Sequence, residues 1–210
     1  MRMFCFVGRR WTPGLGLAAA LALGWGSAAH AATVDVRVRD AQGRPVADAV
    51  VFAQSGEARA LVRPADNVEI VQRRRQFQPA VTVVPVGTAV RFPNQDTVRH
   101  HVYSFSPAKA FELKLYVGTP AKPVVFDQPG IAVLGCNIHD TMAAWVVVVD
   151  TPYHARTDAS GHARLTLPAG AYRLRSWHAG LPVGAPAQDA ALAVAASGGS
   201  ADVTLAGLQP

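Results

Sequence analysis

The sequence predicts an all-β protein built from many short strands, and three observations carry that prediction. Runs of four to eight residues rich in Val, Ile, Thr and Phe recur along the chain, and almost nothing after residue 31 has a helical period. Glycine and proline, 18 and 15 in 210 residues, punctuate those runs as turn residues do. Half of the residues are hydrophobic and 16% are charged, which is the balance of a chain that buries a core, not of a disordered one.

Taken in order, Thr33–Asp40 alternates strictly between polar and apolar residues, as a half-buried strand does. Gln42-Gly43-Arg44-Pro45 reads as a turn and Val46–Phe52 as a second strand; the polar stretch Ser55–Asn67 reads as a connection. Further strands are expected at Val68–Val71, Val81–Val84, Thr88–Phe92, His101–Phe105, Pro123–Phe126, Gly130–Leu134 and Ala144–Val149. Trp145–Val149 is apolar throughout, so it is predicted to be a central strand buried on both faces. His162–Leu167 and Ala171–Trp177 follow as strands around the turn Pro168-Ala169-Gly170. Ala187–Ala196 is helical by composition but reads with Asp202–Leu205 as a pair of closing strands, joined by the turn Ser197-Gly198-Gly199-Ser200.

Residues 1–31 form a separate unit. Arg2, Arg9 and Arg10 precede an apolar stretch, Leu15–Trp25, and small residues lead to Ala29-His30-Ala31. This is the layout of a secretory signal, with cleavage expected near Ala31/Ala32 and no membrane insertion afterwards, the apolar stretch being shorter than the ~20 residues a span needs. Arg9-Arg10 matches only part of a twin-arginine signal. Removing three arginines and no acid lowers the formal charge from +6 to +3, too little to argue for nucleic acid. The densest basic run, Arg73-Arg74-Arg75, reads as a solvated loop or strand edge, with an acidic partner protein as the alternative.

Of two cysteines, Cys5 lies in the signal, so an exported protein keeps one thiol, Cys136, with no internal disulfide partner. Either Cys136 is a buried small hydrophobe or something binds it. Its neighbours favour the second. Cys136-Asn137-Ile138-His139-Asp140-Thr141-Met142 puts a thiol, an imidazole and a thioether within seven residues. Soft sulfur with imidazole suits copper, and a trigonal His₂Cys set with a long axial Met is the blue-copper arrangement. The required second histidine comes from His100 or His101, after Asn94-Gln-Asp-Thr-Val-Arg99. Zinc also takes Cys and His but rarely Met, so it ranks second. His154, His162 and His178 match no ligand spacing. No paired carboxylates, G-x-S-x-G, P-loop or dinucleotide fingerprint points to catalysis.

Two resemblances sharpen these expectations. From about Val68 to Asp150 the chain resembles the cupredoxins, and its C-x₂-H-x₂-M loop is closer to the amicyanin type than to the longer plastocyanin loop. In those families the upstream ligand follows an Asn by six residues, which fits Asn94 and His100. The resemblance thus implies one type 1 copper ion held by His100, Cys136, His139 and Met142, with His139 as the electron port. His101 stands where the family usually has an Asn that bonds the Cys-bearing loop, and it remains an alternative ligand. Phe111–Tyr116 and Gly135–Asp140 resemble cupredoxin-like methylamine-utilization proteins, which implies a periplasmic redox role.

The second resemblance covers Thr33–Gln54 and Ala155–Leu208. Val34–Val51 and Thr157–Leu174 look like two consecutive pieces of a carboxypeptidase-regulatory-like, transthyretin-type sandwich. The expected architecture is therefore a cupredoxin-like Greek-key sandwich, residues 57–152, inserted in a small transthyretin/Ig-like sandwich, residues 32–56 plus 153–210. The expected function is one-electron transfer between redox partner proteins, without catalysis, by a monomer or in weak complexes. Copper delivery and a non-redox binding module are the alternatives.

Overall fold

The computed structural model describes residues 31–209. The predicted signal lies outside them apart from Ala31, which opens the first strand. The chain begins with β1 (Ala31–Asp40), β2 (Val50–Gln54) and a short helix α1 (Gly56–Ala60). There follow β3 (Val68–Glu69), β4 (Val71–Arg73), β5 (Gln76–Gln78), β6 (Val81–Pro85) and β7 (Thr88–Arg91). Next come β8 (His100–Ser106), β9 (Lys109–Tyr116), β10 (Val124–Phe126), β11 (Gly130–Cys136) and β12 (Ala143–Val149). The last strands are β13 (His154–Arg156), β14 (His162–Pro168), β15 (Gly170–Trp177), β16 (Gln188–Val194) and β17 (Gly199–Leu205).

The pairing skips the middle of the chain. β1 lies between β14 and β17, and β2 lies between β13 and β15, with β16 beyond. The strands from β3 to β12 pair only with one another, in sheets ordered β6-β12-β11-β8-β9 and β10-β7-β3 with the hairpin β4-β5. The fold is all-β, and alternation explains its first layer. Along β1, Ala32, Val34, Val36 and Val38 are buried while Thr33, Asp35 and Arg39 face out. Asp35 and Arg37 then pair across the outer face with Arg164 and Asp202.

Two strands are buried on both faces, and they join the two halves. All five residues of β2 are buried. In β12, Val147 and Val149 belong to a core shared with β1, β2 and β15, whereas Ala144, Val146 and Val148 belong to the core of the middle segment. That is the doubly buried central strand the sequence predicts. Trp145 of β12 meets Trp177 of β15 with ring centroids 6.2 Å apart. At the edge of this contact Gln54 and Arg59 both bond the buried Asp150, and Arg173 donates to Gln54 Oε1 at 2.8 Å. Trp177, only 2% exposed, is thus an anchor between the halves. Trp177→Ala is expected to lower the unfolding free energy by about 3–5 kcal/mol in a denaturant titration. A loss below ~1 kcal/mol would mean the contact is not part of the folded core.

Several expectations change. The Ser55–Asn67 connection contains α1, because the Ser55 hydroxyl accepts the Ala58 N–H at 3.1 Å and caps the turn. The second strand runs over Val50–Gln54, not Val46–Phe52, since Asp48 takes a left-handed φ of 58° that no strand continues through. Val68–Val71 divides at Ile70, which is buried while β3 pairs with β7 and β4 turns to β5. Gly199 and Ser200 belong to β17 and not to the turn before it. The whole of β9 was not foreseen as a strand. Within Ala187–Ala196 the strand runs over Gln188–Val194, paired to β15.

Candidate metal centre

Strand register brings the central side chains together. β8 and β11 pair antiparallel with Cys136 opposite Val102 and Gly135 opposite Tyr103. Residues two apart share a face, so His100 lies on the same side as Val102, diagonal to Cys136. His101 points the other way. His100 is fully buried and Cys136 is 3% exposed, and the thiol Sγ lies 3.8 Å from His100 Nδ1. The loop after β11 returns His139, whose ring centroid is 5.1 Å from that of His100. One ligand atom from each of His100, Cys136 and His139 falls within 4.8 Å of the other two, and among the described residues this is the only such convergence found. Met142 donates its backbone N–H to the His139 carbonyl at 2.9 Å, closing a tight turn, and its side chain is buried in the same core as Cys136.

The His100 ring is held from behind. Its Nε2 lies 2.8 Å from Asp96 Oδ2. An ionised carboxylate only accepts, so Nε2 carries the hydrogen and the Nδ1 lone pair faces Cys136. Asp96 is itself fixed by the backbone N–H groups of Arg74 and Arg75, at 2.6 and 2.9 Å. Both arginines sit at the β4–β5 hairpin tip with left-handed φ values of 55° and 57°, which turn successive N–H groups onto one carboxylate. Burial works against the Asp96 charge, but the Arg75 N–H, the His100 imidazole and the Arg74 N–H outweigh it and hold the carboxyl below its ordinary value. Asn94 fastens the loop by donating to the Val98 and Tyr116 carbonyls, both at 2.9 Å. Beneath it, burial pushes the Tyr116 phenol up to about 12, so it stays neutral and donates to the Phe92 carbonyl at 2.7 Å.

Would a cation fit? Two ligands about 2.0–2.3 Å from one ion, at the wide angle of a trigonal site, stand roughly 3.8 Å apart. The Cys136–His100 pair has that spacing. A thiol–imidazole hydrogen bond accounts for that pair alone and leaves the third group unexplained: His139 Nδ1 is buried and has no hydrogen-bond partner. Buried polar atoms without partners are rare and call for a reason. A shared cation satisfies all three atoms at once, so the donor set fits a metal, and the adjacent Met142 thioether suits a soft one.

His101 is outside this cluster. Its Nε2 pairs with Glu112 Oε1 at 2.8 Å on β9, and its ring meets the edge of Tyr103. It bonds the neighbouring strand where the resembled family has an Asn bonding the Cys-bearing loop. The Tyr103 phenol covers Gly135, where a Cβ would stand 2.7 Å from the ring, so a larger residue before Cys136 would have to push that phenol aside. His154 and His178 are lowered by burial and lie in the other half of the protein with His162, apart from any such cluster among the described residues. Sequence reasoning missed Asp96 and the Arg74–Arg75 backbone. An acid four residues before a candidate ligand was the available signal for the first; nothing local marked the second.

No family model matches the chain, and no curated protein matches it. Among solved structures it is similar to a purple cupredoxin from Nitrosopumilus maritimus, with 22% identity over 40% of this chain and 100% of that one, at a TM-score of 0.36. It is similar to the reduced Cu(I) form at pH 4 of an amicyanin variant, with 19% identity over 47% of this chain and 98% of that one, at a TM-score of 0.37. It is also similar to the copper-containing nitrite reductase NirK from Thermus scotoductus SA-01, with 23% identity over 46% of this chain, 27% of that chain and a TM-score of 0.37.

Proposed function

We propose that this chain is a type 1 copper protein that carries one electron between redox partners in the periplasm and catalyses no reaction of its own. The observation that carries the reading is the convergence of His100, Cys136 and His139 with an orphaned His139 Nδ1 among them. His100 Nδ1, Cys136 Sγ and His139 Nδ1 would hold the ion, with the Met142 thioether as a weaker donor. Copper would supply the one-electron couple. The residues do the rest. Asp96 and the β4–β5 hairpin keep His100 in one tautomer and one orientation, and β8 and β11 fix the spacing of His100 and Cys136. A site held this way changes little between oxidation states, which lowers the reorganisation that electron transfer needs. Burial of Cys136 keeps solvent from the thiolate. His139, half-buried beside the exposed Ile138, is the route outward.

In this reading residues 57–152 are the copper unit, and residues 32–56 with 153–210 are a transthyretin-type mount for it. The buried, braced ligands favour a carrier over a delivery protein, whose ion must leave quickly. The test is an optical titration of the purified chain with Cu(II), followed by voltammetry. One equivalent giving an intense blue colour and a reversible one-electron wave is expected; a colourless product with no reversible wave contradicts the reading.

A further inference from the structure

The end of the molecule that carries the metal centre is lined with arginines that have no partner. In the half built from β1, β2 and β13–β17, Arg37, Arg44, Arg156, Arg164, Arg173 and Arg175 pair with aspartates, and of its described arginines only Arg39, which bonds the Gly43 carbonyl, does not. Among the described residues, Arg73, Arg74, Arg75 and Arg99 form no ion pair. The first three form the β4–β5 hairpin tip, one hydrogen bond from Asp96 and two from His100. Arg99 immediately precedes His100. The oxygens of Asp96 are taken by two backbone N–H groups and the His100 imidazole, so they form no ion pair with these side chains. Asp140, exposed beside His139, lies on the Met142 side of the centre.

Apolar residues stand exposed among these cations. Ile138 next to His139 is 47% exposed and Val98 is 38% exposed. Val117 is 58% exposed and precedes Gly118, whose carbonyl accepts the Asn94 N–H at 2.7 Å. Exposed aliphatics rimmed by uncompensated charge of one sign suit a partner with an apolar centre and the opposite charge around it. Resting on the copper reading above, we infer that this face docks an acidic redox protein, whose carboxylates meet Arg73, Arg74, Arg75 and Arg99 while its cofactor edge approaches His139.

Arg73 and Arg99 carry exposed side chains that bond neither Asp96 nor a ligand, so their charge can be removed without touching the support of His100. The test therefore compares the copper-loaded full chain with R73Q/R99Q and with R37Q/R164Q. The second variant removes the same charge from β1 and β14, in a sheet that pairs with none of the strands from β3 to β12. Each oxidised protein is mixed by stopped flow with reduced plant-type ferredoxin, an acidic one-electron donor, and with hexaammineruthenium(II), a cationic one. One electron passes to the protein, leaving oxidised ferredoxin or ruthenium(III).

With ferredoxin, R73Q/R99Q is expected to slow reduction about threefold or more at low salt and to flatten its salt dependence, while R37Q/R164Q stays within about 1.5-fold of the parent. The ruthenium rate should hold or rise, and the blue spectrum should not change. Equal ferredoxin rates in parent and R73Q/R99Q, or equal slowing by both variants, overturns the inference while leaving the copper reading intact. A protein that takes an electron from neither reductant overturns the copper reading and this inference with it.

Discussion

Cys136→Ser is expected to abolish the blue colour and the reversible wave while leaving a folded protein. The thiolate is the one soft anionic donor in the cluster, and no other cysteine lies in residues 32–210 to replace it. A hydroxyl of nearly the same size fits the space at the end of β11, so the pairing of Gly135 with Tyr103 and the packing of Leu134 should survive. What remains is two imidazoles, which bind Cu(II) in tetragonal geometry with oxygen or nitrogen ligands and give pale products. Far-UV circular dichroism checks the fold, and absorbance with EPR checks the site. A serine variant that still turned blue would remove Cys136 from the ligand set.

Asp96→Asn should reach the site without touching a ligand. The carboxylate accepts from Arg74, Arg75 and His100 at once. An amide has one oxygen, and its NH₂ group must face at least one of those donors, so either the hairpin tip or the His100 ring loses its anchor. Partners of this kind are worth about 10–100-fold in metal affinity, and that loss is expected in a Cu(II) competition titration. The apoprotein should also lose stability, because a buried N–H left without an acceptor costs about 1–3 kcal/mol. The native carboxyl is held below its ordinary value. Its contribution is thus present above the ordinary carboxylate range and lost as pH falls through the lowered value. Unchanged affinity in Asp96→Asn would show that the ring is positioned by packing alone.

How far the sequence could be read depended on whether the deciding interaction was local. The alternation of Thr33–Asp40 and the apolar run at Trp145–Val149 each forecast a strand and its buried faces, because side-chain period alone determines them. The strand β9 carries a similar alternation in Phe111, Leu113 and Leu115, but its charged residues and its place at a sheet edge masked it. The grouping of Cys136 and His139 was legible from spacing. His100 was favoured over His101 only by the resemblance, since both begin one strand and the register against β11 is what puts His100 on the face of Cys136. Asp96 is held by a hairpin tip more than twenty residues earlier, and its role needed the left-handed backbone of Arg74 and Arg75. Such a contact leaves no periodic trace.

In the proposed reading one copper ion is shared by His100, Cys136, His139 and, more weakly, Met142. X-ray absorption at the copper edge of the stoichiometrically loaded protein tests it most directly. One short sulfur scatterer with two imidazole nitrogens, the sulfur absent in Cys136→Ser, is the predicted result. A first shell of nitrogen and oxygen only, unchanged by that substitution, would contradict it.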